Sequence, residues 1–236
     1  MPHYADLHIL PHADDMQSCQ RIAKTLSLAG YSTAGTSLPT GLLRERVADL
    51  RKVFADNGVE TVLRVDLAAR SREELLRSLR RFRNAYDIIA VKCLNTRVAH
   101  VACRDRRVDL VLFDLENATV RFNHGLASLL RGALEMNLIS AILGSMNAGV
   151  CSTITKWFSI ANEHQLKVVL SSGADKPEMI RSPTQVAALA STLGLLRETA
   201  IDGVSSTPTS ILEENAKRRS PTYVEDGVRV VPSRKR

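Results

Sequence analysis

The stretch Lys167-Val168-Val169-Leu170-Ser171-Ser172-Gly173-Ala174 decides the fold of this chain. A short β-branched apolar run breaks into four small residues. Ile180-Arg181-Ser182-Pro183 then opens a helical pattern, which closes at Leu193-Gly194. A buried strand, a small-residue loop and a capped helix follow one another. In α/β folds, loops at the carboxyl ends of strands carry the function.

The same alternation extends back to the amino terminus. Candidate strands are Tyr4 to Leu10, Tyr31 to Thr36, Thr61 to Val65, Asp87 to Val91, Asp109 to Phe113, Leu138 to Leu143 and Leu166 to Leu170. Between them, apolar residues recur three and four apart. Leu75, Leu76, Leu79 and Phe82 form one stripe, and Leu126, Leu129, Leu130, Ala133 and Leu134 form another. Strands that alternate with helices pair in parallel through right-handed crossovers. About seven such units favour a closed, TIM-barrel-like α/β fold over an open sheet. No GxGxxG follows the first strand and no P-loop pattern occurs, which argues against a dinucleotide site. Residues 1–220 read as one (β/α) barrel domain and 221–236 as a basic tail. Within the first span, Thr207 reads as an N-cap and Pro208 as the first residue of a helix running to about Arg219. Tyr223 to Val231 has a short strand-like alternation.

Of the 236 residues, 44% are hydrophobic and 24% charged, the balance of a globular protein. The formal net charge of +7 rests mainly on arginine, which favours phosphate or carboxylate partners. Cys19, Cys93, Cys103 and Cys151 form no CxxC and no zinc-ligand spacing, as suits a reducing compartment. No basic-then-apolar leader and no membrane-length apolar run is present, so a cytoplasmic location is expected.

Three groups of residues suggest chemistry. Asp6-Leu7-His8 with His12 resembles the strand-end ligands of metal-dependent barrel hydrolases, since alternate residues share a strand face. A working centre needs three converging ligands, and the other histidines supply no second cluster. Ser171, Ser172, Ser145 and Cys151 lie near strand ends, without the GxSxG setting of an activated serine. The Ser171–Ala174 turn suits either a phosphate cradle or a structural hydrogen-bond network. The arginines crowd into three places. Arg70, Arg72, Arg77, Arg80, Arg81 and Arg83 share one helical segment, and periodicity turns Arg77, Arg80 and Arg81 outward. Arg104, Arg106 and Arg107 form a second cluster, and Lys217, Arg218 and Arg219 a third. With few aromatics, these favour phosphate contacts over base stacking.

Tyr86-Asp87-Ile88-Ile89-Ala90-Val91 with Asn95 resembles a strand segment of ribonuclease P protein component 3. So does Arg107-Val108-Asp109-Leu110-Val111 with Phe113-Asp114. The closest likeness is Leu170-Ser171-Ser172-Gly173-Ala174, then Arg181-Ser182-Pro183 and Leu193-Gly194 at the same spacing. The resemblance runs from about Tyr86 to Ser220, and is carried in the first third by architecture and Asp6.

The resemblance implies a barrel similar to the polymerase and histidinol phosphatase barrels, with a degraded metal-ligand set. It implies an RNA-binding protein subunit of ribonuclease P, an endoribonuclease that removes the 5′ leader of precursor tRNA. In that assembly the RNA is the catalyst and uses magnesium, so this chain itself would bind no cofactor. Its partners would be ribonuclease P RNA, protein component 2, other ribonuclease P proteins and precursor tRNA, with no membrane. A compact chain without the longer basic tails of the eukaryotic relatives looks archaeal. By position, Arg97, Arg121, His124 and Arg181 correspond to basic residues of the family. Lys176, on the loop before Arg181, joins them, together with Arg77, Arg80 and Arg81, as expected RNA contacts. Two rival expectations are a metal-dependent phosphoesterase using Asp6, His8 and His12, and a barrel enzyme holding a small anion on Ser171–Ala174.

Overall fold

The computed structural model describes residues 3–115, 120–139, 148–220, 223–225 and 228–229. Seven parallel strands pair in chain order: β1 (Ala5–Ile9), β2 (Thr33–Ser37), β3 (Glu60–Leu67), β4 (Ile88–Cys93), β5 (Leu110–Phe113), β6 (Ala133–Asn137) and β7 (Val168–Ser171). Helices α1 (Met16–Ala29), α2 (Arg44–Asp56), α3 (Arg72–Phe82), α4 (Thr96–Arg104), α5 (His124–Ala127) and α6 (Ala148–Glu163) lie between them. After β7 come α7 (Pro183–Thr192), α8 (Arg197–Asp202) and α9 (Ser206–Arg218). A two-stranded antiparallel pair, β8 (Tyr223–Glu225) and β9 (Val228–Arg229), follows.

Burial on both faces explains the apolar strands. One face of the sheet turns inward, where Leu7, Val62, Ala90, Leu110, Ala133 and Val169 pack together. The other face meets the helices through residues such as Ile89, Val91, Val111, Leu134 and Leu170. Helix α9 lies across the amino-terminal end of the barrel. Its Ile211 joins the inner cluster, and its buried Asn215 donates to the Asp87 carbonyl at 3.0 Å.

Among the described residues the ring has seven strands, and three devices span the gap between β1 and β7. At the carboxyl end, Ile9 bridges Ala174 and the Leu10 N–H donates to the Ala174 carbonyl at 2.8 Å. In the middle, the Asp6 carboxylate accepts the Ser172 N–H at 3.1 Å. At the amino end, the Gly203 carbonyl accepts from Leu170 at 2.9 Å and the Val204 carbonyl from Ala5 at 3.1 Å. A side chain at Gly203 would begin 3.0 Å from the Val168 carbonyl, so this close approach favours glycine.

Two elements differ from the sequence reading. The stripe from Leu126 to Leu134 is not one helix. Helix α5 stops at Ala127, and Ala133-Leu134 begin β6. The expected strand over Leu138 to Leu143 is therefore displaced, because the chain has left the sheet by Leu138, and residues 140–143 lie outside the described residues. A strand buried on both faces produces a short apolar run that periodicity cannot separate from a buried helix. The last long helix starts at Ser206, one residue before the expected N-cap Thr207, and places Pro208 third. Proline is tolerated there because the first-turn N–H groups have no intrahelical acceptor.

Candidate functional site

The carboxyl-terminal mouth of the barrel, where a barrel enzyme would hold its reacting groups, is filled by an ion cluster. Arg64 on β3 is fully buried. Its Nη1 and Nη2 donate to the two Glu135 carboxylate oxygens at 2.6 Å each. Nη1 also donates to the Leu7 carbonyl at 2.8 Å, and Nη2 to Asp66 Oδ1 at 2.7 Å. The Ser37 hydroxyl donates to Asp66 from β2. Such two-pronged guanidinium pairing is strong and directional. Burial, the largest single influence, would raise the Asp66 pKa, but the Arg64 charge together with the hydrogen bonds from Arg64 and Ser37 and the nearby His8 outweighs it and holds the carboxyl below its ordinary value.

His8 sits beside this cluster, 3.7 Å from Asp66 and 3.8 Å from Glu135, with the Asn137 amide 2.9 Å from its Nδ1. Burial, then the Arg64 charge, push its pKa down, so the imidazole is held neutral. The expected Asp6, His8 and His12 set does not converge. Asp6 turns to the seam, where it accepts the His8 and Ser172 N–H groups at 3.1 Å each. Burial raises its pKa to about 6. His12 is exposed on the following loop. Among the described residues no three His, Cys, Asp or Glu side chains are grouped to hold a metal. The carboxylates that a cation would need are already bound to Arg64.

The Ser171–Ala174 turn does not offer a phosphate cradle. All four residues are buried, the Ser172 N–H is taken by Asp6, and the Ala174 N–H by the Ser172 hydroxyl at 3.1 Å. Of the two alternatives for this turn, the structural network is the one present. Cys151 is half-buried on α6, and Ser145 lies outside the described residues.

The eight expected contact residues occupy separate places. Arg77, Arg80 and Arg81 are exposed on α3, opposite the buried Leu75 and Leu79. Arg97 is exposed on the first turn of α4. It shares a groove of about 490 Å³ with Arg70, Arg72 and His100, and the Asn95 amide ties this groove together by donating to the Arg70 carbonyl. Arg121 and His124 are exposed at the start of α5. The His124 ring lies 3.2 Å from His164 and 3.8 Å from Glu163. Lys176 is exposed on the loop after β7. Arg181 is half-buried and folds back on that loop, donating to the Glu178 and Ile180 carbonyls at 2.6 and 2.9 Å. These bonds are to main-chain acceptors, not to a carboxylate, so Arg181 holds the 3₁₀ turn at Pro177–Met179 against the start of α7.

The sequence reading missed Arg64, Asp66 and Glu135. The signal was present: charges inside Val62-Leu63-Arg64-Val65-Asp66-Leu67 and Leu134-Glu135-Met136 interrupt runs that otherwise read as doubly buried strands. A charge there must find an opposite charge across the barrel.

Comparison with known proteins bears on this arrangement. The family model described as RNase P subunit p30 matches residues 3–220. Ribonuclease P protein component 3 of Methanothermobacter thermautotrophicus is 26% identical over 97% of this chain and 96% of its own length. The protein of the same name from Methanosarcina acetivorans is 23% identical over 95% of this chain and 93% of its own. Both relatives are archaeal. The fold superimposes with a TM-score of 0.80 on a chain of the cryo-EM structure of archaeal ribonuclease P with mature tRNA, at 18% identity over 97% of this chain and 99% of that one. With a family match spanning nearly all of the described barrel, this chain is a member of the ribonuclease P subunit p30 family.

Proposed function

We propose that this protein is a noncatalytic, RNA-binding barrel of ribonuclease P. In this reading the RNA of the holoenzyme, an endoribonuclease, removes the 5′ leader of precursor tRNA. The magnesium it needs is bound by that RNA. This chain binds no cofactor of its own; it pairs with protein component 2, works beside the other protein subunits, and does so in the cytoplasm. No helix among the described residues is long and apolar enough to cross a membrane.

The observation that carries the reading is the Arg64 guanidinium seated on Glu135 and Asp66 in the barrel mouth. It occupies the position from which an enzyme of this fold works, and it consumes the carboxylates there. The surface, in contrast, carries arginines in excess, suited to an RNA backbone. The metal-dependent phosphoesterase reading would need Asp6, His8 and His12 to converge, whereas Asp6 faces the seam and His12 is exposed on a loop.

Reconstitution tests the proposal. Precursor-tRNA cleavage is assembled from the RNA and the protein subunits, with and without this chain. The chain alone should leave precursor tRNA intact, and its addition to the assembly should raise cleavage at limiting magnesium. Cleavage by the purified chain alone, abolished by His8→Ala, would overturn the proposal.

A further inference from the structure

Arg106, Arg131 and Lys167 are far apart in sequence but meet on the amino-terminal face of the barrel, away from the mouth. Arg106 lies on the loop after α4, Arg131 just before β6 and Lys167 just before β7. Two adjoining grooves cross this face, of about 320 and 460 Å³, and Arg106 and Arg218 line both. Two clusters that are separate in the sequence are thus one surface, joined where Arg218 donates to the Arg106 carbonyl at 3.3 Å.

The charges on this face divide into two sets. One set is paired: Arg83 with Asp109 at 2.7 Å, Arg107 with Asp105 at 2.6 Å, Arg219 with Asp87 at 2.5 Å, and Arg218 with Glu214. The other set is Arg106, Arg131 and Lys167. All three are exposed, and none forms an ion pair among the described residues. Helix dipoles account for cations in the last turns of α3, α4 and α9. They do not account for Arg131 and Lys167, which precede strands. Arg131 is also fixed in place. Its N–H donates to the Cys103 carbonyl at 2.9 Å, and a side chain on the next residue, Gly132, would begin 2.5 Å from the Asp109 carbonyl. Three unpaired cations on ordered backbone, flanked by arginines already held in position, form a preorganised anion-binding surface.

We propose that this face is a second phosphate-binding surface, which takes the sugar-phosphate backbone of an RNA strand through Arg106, Arg131 and Lys167. It lies at the opposite end of the barrel from Arg97, which follows β4, and Lys176, which follows β7, so one chain contacts RNA segments at both ends. The proposal rests on the RNA-binding reading above. The contacts are to phosphates, so they position RNA without reading its sequence.

The test measures binding of the full chain to ribonuclease P RNA across a salt series. Replacing Arg106, Arg131 and Lys167 together by Ala should make the slope of log K against log salt shallower by roughly two to three units. The charge-preserving set R106K, R131K and K167R should keep the parent slope. An equal-charge control, Arg44, Arg51 and Lys52 on α2 replaced by Ala, should also keep it. Should the triple variant be destabilised, the single substitutions decide, each expected to remove roughly 0.7–0.9 unit. A base-face slope equal to that of the α2 control overturns the second surface. So does an unchanged slope combined with lost binding of a partner protein, which would make the face a protein-docking site. A parent chain with no salt-dependent affinity for RNA would instead overturn the RNA-binding reading itself.

Discussion

Arg64 and Glu135 bind each other through two hydrogen bonds of 2.6 Å in a site closed to water. A buried pair is costly to break, because the remaining charge loses its partner and gains no solvent. Glu135→Gln should therefore lower stability by ~3–5 kcal/mol. For a chain of this size that corresponds to a fall in melting midpoint of about 6–20 °C. Arg64→Met combined with Glu135→Leu and Asp66→Asn, which leaves neither carboxylate of the cluster without its guanidinium, should recover most of the loss, and a triple variant no more stable than Glu135→Gln would refute the pairing argument. Asp6 makes a different prediction. Its carboxyl titrates near 6 in the fold against 3.8 in the open chain. A raised folded value favours folding of the protonated form, so its contribution is complete below 3.8 and lost as the pH rises through about 6. The neutral-pH cost is about 3 kcal/mol. Asp6→Asn keeps an oxygen for the His8 and Ser172 N–H groups, so it should melt higher at pH 7.5 and lose that advantage by pH 4. His8 contributes the opposite slope: its pKa, lowered by burial from 6.5, costs stability as the pH falls below that value. Comparing the parent with Asp6→Asn at each pH isolates the carboxyl, because both chains keep His8. Asp6 stood out in the sequence as a candidate ligand. Its role as a seam acceptor was not legible there, because its partner Ser172 is 166 residues away.

Helix α3 shows how far an element can be read from its pattern. Ser71 caps it by accepting the Glu74 N–H at 3.2 Å, Leu75 and Leu79 are buried, and Arg77, Arg80 and Arg81 face solvent as the spacing predicts. Arg81 also lies over the Phe82 ring, 5.1 Å from its centroid. Replacing Arg77, Arg80 and Arg81 by Ala should reduce the salt slope of RNA binding by roughly two to three units if these residues touch phosphates. The melting midpoint should fall only by the loss of the Arg81–Phe82 contact, worth ~0.5–1 kcal/mol. An unchanged slope would leave this face merely solvated. Strand β6 marks the limit of such reading. Its apolar residues continue the three-and-four spacing of α5, and only Arg131-Gly132 ahead of Ala133 punctuates the run. The glycine is demanded by the Asp109 carbonyl just ahead of β5, a tertiary constraint that the local pattern does not contain.

At the scale of the whole molecule, the alternating strand-and-helix architecture was legible because short apolar runs alternate with three-and-four-spaced stripes along the chain, although the sixth strand lies at Ala133–Asn137 rather than where its run was read. The mouth cluster was not, because Arg64 and Glu135 come from strands on opposite sides of the ring and carry no shared local motif. The ring itself is uneven. Ladders join β1 through β7 in order, while the gap between β1 and β7 is spanned by the Ile9–Ala174 bridge, the Asp6 carboxylate and two loop carbonyls. Hydrogen exchange should therefore show the amides of Ala5, Leu170 and Ser172 opening before those of β4, and equal protection would mean that the seam is as tight as the ladders. The seam also sets a schedule for the newborn chain. Strand β1 leaves the ribosome first, but its partners across the seam, Ser172 and Val204, are made more than 160 residues later. At ~5–20 residues per second that is a wait of roughly 8–33 s, during which one side of the first strand stays open to pairing with any other chain. Only after Val204 has been made does the last edge of the sheet disappear.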